Sequence, residues 1–248
     1  VLLPFGSTPA QLARRVATGL GAIIARVTIP EGFDEIDVAR RLEAAQLGSA
    51  SEFLRVMRDP ASLRALSLEG PSVEGYLFPD TYELRDDQEP IAILGQMVEN
   101  HRRRTEALFD ERRAELASLS SELGFTRRDV VVLASIVEKE AAVAEERATI
   151  AGVFVNRLRS ETFLPRQRLQ SDPTVSYGCR AEPESAPSCA GFDGRITRAM
   201  LDDSQNRYNT YRHAGLTPGP IANPGLAAIE AVLRYAHHDY LYFVARGQ

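Results

Sequence analysis

A capped apolar helix near the middle of the chain places the strongest constraint on the fold. Thr126 and Asp129 stand at the spacing of a helix-capping signal, with Arg127 and Arg128 between them. The stretch that follows, through Val130, Val131, Val132, Leu133, Ile136 and Val137, reads as a helix that runs into Glu138-Lys139-Glu140. Residues three, four and seven apart share one helical face. On that face Glu138 has Val131, Ala134 and Ser135 behind it and Ala141 and Ala142 ahead, with Leu133, Ile136, Val137 and Glu140 on flanking strips. A carboxylate on a strip of small side chains can form the floor of a groove that a substrate approaches closely. Partial burial there would favour the protonated form, which suits a general acid. The alternative is a solvated surface Glu beside Lys139 and Glu140.

The chain has 248 residues, enough for one large domain or two small ones with a real core. At 44% hydrophobic and 25% charged it has the balance of an ordinary globular protein. A net charge of −5 gives no support to broad nucleic-acid binding, and no nucleic-acid partner is expected. The basic clusters Arg102-Arg103-Arg104 and Arg112-Arg113 sit among Glu and read as exposed helix. No apolar run approaches the roughly 18–20 residues of a membrane span, and no signal peptide follows the opening Val1-Leu2-Leu3-Pro4. Cys179 and Cys189 flank a polar segment, and a disulfide between them would close a short loop and favour an oxidising compartment. Two free thiols are the alternative. A zinc site has no support, since neither a Cys-x-x-Cys pair nor a nearby His supplies further ligands.

Taken in order, the first segment, to about residue 70, reads as a small α+β unit. Ser7-Thr8-Pro9 opens a helix through Leu12, Val16 and Leu20, and Ile23 to Ile29 reads as a strand. Pro30-Glu31-Gly32 turns the chain, Asp34 or Asp37 starts a helix, and Ser49 or Ser51 starts another that Pro60 stops. Residues 68–90 are turn-rich. There Tyr76 or Phe78 could stack a sugar ring and Glu74 or Asp80 could bond hydroxyls, or the aromatics form a structural corner. Residues 90–123 read as a helix pair, and a further helix runs from Glu146 to about Arg159. Arg168 to Gly178 reads as a polar turn leading into a short strand or helix, with Asp172 in an extended or turn conformation ahead of Pro173. Thr197 opens a short helix, Gly215 to Gly225 forms a rigid loop of the kind that lines a cleft, Gly225 enters a helix, and Tyr240 to Ala245 reads as a strand. Ser135 lacks the context of a nucleophile elbow, and His237-His238 reads as a solvated helix end.

Five blocks in order then resemble the YceG-like, or MltG, family of endolytic murein transglycosylases. They are Glu74 to Tyr82, Leu133 to Glu140, Arg168 to Val175, Tyr208 to Tyr211 and Gly215 to Ala222, within a likeness that runs from about Val27 to Val244. The resemblance implies an α+β fold, with a small LysM-like subdomain over 1–70 and a mixed α/β catalytic domain over 71–248. The block Val27 to Gly32 resembles the LysM-like part. The implied activity is internal cleavage of the MurNAc-β-1,4-GlcNAc bond of nascent peptidoglycan strands, giving 1,6-anhydro ends and terminating elongation, with peptidoglycan synthases as partners. Members of the family are anchored in the bacterial cytoplasmic membrane by one N-terminal helix, absent from this chain, with the catalytic part outside.

The family's catalytic Glu aligns with Glu138, and the implied chemistry needs no metal or cofactor because the sugar's own 6-hydroxyl is the nucleophile. Glu74 and Asp172 are expected to hold sugar hydroxyls or an amide. Gln170, Asn209 and Tyr211 are expected to bind an N-acetyl group or to stabilise the oxocarbenium, unless each stabilises its own loop. Glu140 points away from Glu138 and is expected to be structural, paired to an Arg. The Cys179 to Cys189 segment departs from the family pattern and reads as an inserted loop that reshapes one wall of the cleft. Two rival readings are a hydrolase with Glu74, Asp80 or Asp172 as second carboxylate, and a non-catalytic peptidoglycan-binding scaffold.

Overall fold

Strand β1 (Ile24–Thr28) pairs antiparallel with β2 (Thr81–Arg85), Val27 lying opposite Tyr82 and Thr28 opposite Thr81. In this computed structural model residues 8–10, 13 and 24–244 are described. The helix expected through Leu12, Val16 and Leu20 lies outside them. β2 falls within the segment expected to be turns. Its signal is a strict alternation, with Tyr82 and Leu84 buried and Thr81, Glu83 and Arg85 exposed. Three short helices follow β1: α1 (Glu35–Ala44), α2 (Ala50–Arg58) and α3 (Pro60–Ala65), capped by Asp34, Ser49 and Asp59. Pro60 ends α2 as expected and also opens α3, where its missing N–H costs nothing. Their apolar faces close over the strand pair with Ile93, Leu94, Met97 and Val98 of α4 (Pro90–Glu111). This first core therefore draws on residues from Val27 to Val98, past the division placed at residue 70.

The same long helix carries Leu108 and Phe109 into a second, larger core. At its centre is α6 (Arg127–Glu140), reached through α5 (Arg113–Leu123) and a left-handed Gly124. Thr126 and Asp129 form a reciprocal capping box, and every residue from Val130 to Val137 is buried. A helix apolar on all sides must be covered on all sides. α7 (Arg147–Arg159) and α10 (Leu226–Leu233) pack against it. α8 (Asp172–Ala181) and the short α9 (Arg198–Asp202) complete the helices of the second half, with a small cluster of Val175, Cys179, Ala186, Cys189 and Met200 between them.

Two expectations give way here. Asp172 is the first residue of α8 rather than part of an extended or turn segment, because Pro173 in a first turn displaces no intrahelical hydrogen bond. Residues 240–244 form no strand. No sheet edge meets them. The carbonyls of Tyr240 and Leu241 accept instead from the side chains of Asn156 and Arg157, and Phe243 packs edge-on against Phe154. Among the described residues no helix is long and apolar enough to cross a membrane.

Candidate active site

Glu138 lies in the last turn of α6, where three distant segments converge. Arg147 Nη2, from the first turn of α7, donates to Glu138 Oε1 at 2.9 Å. The backbone N–H of Gly225, the residue before α10, donates to Oε2 at 3.1 Å. Only 6% of the Glu138 side chain is exposed. The third segment is the turn after β1. Glu31 Oε2 stands 3.7 Å from the same Arg147 Nη2, and Lys139 Nζ donates to the Gly32 carbonyl at 3.2 Å. Gly32 sits at φ +76, open to glycine at little cost, and Gly225 leaves space that a Cβ would take from Glu31 Oε1, 1.9 Å away.

Of the residues noted around Glu138, those behind it serve close packing rather than an open floor, while Ala141 is half-buried and Ala142 exposed. Val131, Ala134 and Ser135 are all buried. Ser135 Oγ donates to the Val132 carbonyl and accepts from the N–H of Ile221 at 2.9 Å, which pins the Gly- and Pro-rich loop to the helix. Asn223 fixes the same loop to the first core. Its Oδ1 accepts from Leu77 N–H at 2.8 Å, and its Nδ2 donates to the Phe33 carbonyl at 2.9 Å and to Glu74 Oε1 at 3.1 Å. Arg147, Glu31 and Asn223 carry no motif that singles them out in the sequence.

Of the residues expected to touch substrate, two are corrected. Glu74 is 2% exposed, with its oxygens taken by Glu35 N–H, Gly75 N–H and Asn223 Nδ2. Burial, reinforced by the charges of Glu35 and Asp34, pushes its carboxyl well above the usual range. It organises the junction and has no face toward a ligand. Asn209 is fully buried, its Nδ2 donating to the carbonyls of Met200, Leu201 and Asp203 and its Oδ1 accepting from Tyr211 N–H. Both its donor and its acceptor side are engaged in tying its loop to the end of α9. Phe78 is likewise buried and Tyr76 packs edge-on against His101, so the structural corner describes that loop. Asp80, offered as a second carboxylate, is bound by Asn100 and Arg104 beside the first core. Glu140 accepts from Ser171 Oγ at 2.6 Å, not from an Arg, and burial raises its carboxyl above the ordinary range.

The other three stay accessible. Asp172 is exposed and accepts from the Tyr211 hydroxyl at 2.7 Å, while Tyr211 and Gln170 are half-buried. Burial and the Asp172 bond push the Tyr211 phenol up, which keeps it a donor. Gln170 holds φ +52 and its backbone N–H donates to the Thr210 carbonyl. Asp172, Ser176 and Tyr177 line a groove of about 400 Å³ with Lys139 and Ile221. Phe192 and Ile196 form its far wall, held by the loop that the Cys179–Cys189 disulfide closes. Among the described residues no group of His, Cys, Asp and Glu could hold a metal ion.

These features define a helix-rich α+β protein with one deeply set carboxylate, gripped by an arginine and a backbone N–H, at the end of its central helix. Comparisons with known proteins place it further. A model of the YceG-like family matches residues 2–248. The endolytic murein transglycosylase of Bacillus subtilis (strain 168) is 27% identical over 252 residues, which span 95% of this chain and 63% of that protein. The protein of the same name from Streptococcus pneumoniae serotype 2 (strain D39 / NCTC 7466) is 30% identical over 245 residues, 90% of this chain and 41% of that protein. A crystal structure of a yceG-like protein from Listeria monocytogenes aligns with a TM-score of 0.72 at 30% identity, covering 96% of this chain and 75% of that one. The chain belongs to the YceG-like family. It spans less than two thirds of the two named transglycosylases.

Proposed function

We propose that this chain is the catalytic part of an endolytic murein transglycosylase, with Glu138 as its single acid and base. The observation that carries the reading is the setting of Glu138: a carboxylate almost withdrawn from water, with a donor fixed on each oxygen. Protonated Glu138 gives its proton to the glycosidic oxygen as the bond to the MurNAc anomeric carbon breaks, and positive charge builds on that carbon. The ionised carboxylate, matched by Arg147 and the Gly225 N–H, then takes the proton of the same sugar's 6-hydroxyl. The freed oxygen closes on the anomeric carbon, and a 1,6-anhydro end results. The proton count balances and Glu138 returns to its starting form. An attached nucleophile needs neither an activated water nor a second carboxylate, and its proximity removes part of the entropic barrier.

The groove beside Lys139 supports a glycan strand as substrate, with Asp172 as a polar contact and Phe192 as an apolar wall for a sugar face, while Tyr211, bonded to Asp172, and Gln170 are further contacts outside the groove lining. The disulfide supports action outside the cytoplasm, on nascent strands near the synthases that make them. In this reading the segment to residue 70, with β1 and helices α1 to α3, is the LysM-like part. End-group analysis of fragments from uncrosslinked strands tests the chemistry: 1,6-anhydro ends on internal fragments support lytic cleavage, and reducing ends replace it with hydrolysis.

A further inference from the structure

We infer that Glu31, carried in by the turn after β1, is a positioning residue of the Glu138 site, holding Arg147 in place through the proton cycle. The inference rests on the reading of Glu138 as acid and base. Arg147 is only 15% exposed, and its Nε is buried without a hydrogen-bond partner. The guanidinium is therefore oriented at its tip, where Nη2 meets Glu138 at 2.9 Å and Glu31 at 3.7 Å. Glu138 is an inconstant anchor, because it is neutral before it gives up its proton and anionic after. In the neutral state it no longer attracts the arginine as a charge does. Glu31, with 49% of its side chain exposed, takes no part in the proton transfer and offers Arg147 a second carboxylate.

A second carboxylate at the far side of Arg147 thus keeps the cation where charge will return, which is preorganisation rather than response. The backbone is built around this carboxylate. Gly225 gives Glu138 its N–H and also leaves the room that Glu31 Oε1 occupies. The inference also assigns a role to the first segment, which supplies a working residue to a site whose other parts lie after residue 137. Two carboxylates that share one nitrogen at these distances are no farther apart than the roughly 6.5–9.5 Å of inverting glycosidases, so the alternative role for Glu31 is catalytic.

The test compares wild type, Glu31→Gln, Glu31→Asp, Arg147→Gln and the double variant Glu31→Gln/Arg147→Gln on uncrosslinked glycan strands, with melting curves for each. Glu31→Gln should lower kcat about tenfold or more with KM and melting temperature little changed, and Glu31→Asp should recover part of the loss. The double variant should be no slower than Arg147→Gln alone, since both act through one contact. The Arg147 Nε–H NMR signal, independent of turnover, should broaden in Glu31→Gln relative to wild type. Anhydro products formed by Glu31→Gln within about twofold of the wild-type rate, or an unchanged Arg147 signal, overturn the positioning role and leave the lytic reading standing. Reducing ends from wild type, lost in Glu31→Gln, overturn both and make Glu31 the second carboxylate of a hydrolase.

Discussion

Replacing Asn223 by alanine should unfasten the junction on which the Glu138 site stands. Asn223 is fully buried and joins the turn after β1, the Leu77 corner and the Gly- and Pro-rich loop. In Asn223→Ala the Leu77 N–H loses its partner outright. The Phe33 carbonyl keeps the Asn223 backbone N–H, and Glu74 Oε1 keeps the Gly75 N–H at 3.3 Å. One orphaned buried donor costs about 1–3 kcal/mol, and two lost bonds to still-paired acceptors cost about 0.5–1.5 kcal/mol each. The total is about 2–6 kcal/mol. At about 2–4 °C per kcal/mol for a chain of this size, the melting temperature should fall by roughly 4–24 °C. Thermal and urea unfolding measure it, with Asn223→Asp as the companion. The aspartate keeps an acceptor for Leu77 but places a second carboxylate against Glu74, so at neutral pH it should be at least as damaging. A loss below about 1 kcal/mol in Asn223→Ala would refute the view that this one amide ties the two cores together.

Three further outcomes follow from the same structure. His101 is 6% exposed and its pKa is pushed down by burial to about 4, so the fold loses up to about 3 kcal/mol as pH falls from 6.5 toward 4, where only the unfolded chain binds the proton. His101→Phe, packed against the same Tyr76 and Phe78, should remove that slope in urea unfolding at pH 7 and 4.5, and an unaltered slope would count against it. Reducing the Cys179–Cys189 bond should cost about 2–3 kcal/mol and weaken glycan binding through the Phe192 wall, and a melt insensitive to reductant would contradict this. Asn209→Ala should destabilise by about 2–4 kcal/mol, whereas Tyr211→Phe should stay within about 1 kcal/mol of wild type yet bind strands more weakly. Equal melting temperatures for the two would reverse their assignments.

Local signals in the sequence were reliable wherever the structure answered them locally. The Thr126–Asp129 capping box, the Asp34 and Thr197 caps and the break at Pro60 all depend on atoms a few residues apart. Failures came where a distant partner decides. Tyr240 to Val244 has the composition of a strand but meets side chains rather than a strand edge. Thr81 to Arg85 alternates cleanly, yet its place beside Glu74-Gly75 and Pro79 drew attention to turns. Glu74 and Asn209 are polar residues in loops, which suggests ligand contact, but both side chains are buried and hydrogen-bonded within the protein. Glu138 stood out because a carboxylate closing an apolar helix is conspicuous. Arg147 and Glu31 did not, since neither the turn that brings one nor the helix start that brings the other encodes the meeting.

The most direct test of the account is mass analysis of uncrosslinked glycan strands digested by wild type and by Glu138→Gln side by side. The substitution keeps the shape and leaves an amide that can still accept from Arg147 or the Gly225 N–H, but it cannot give and retake a proton. Internal fragments with 1,6-anhydro ends from wild type, reduced by about a hundredfold or more in Glu138→Gln at an unchanged melting temperature, are the expected result. Anhydro fragments released equally by both proteins would remove Glu138 from the chemistry and contradict the account at its centre.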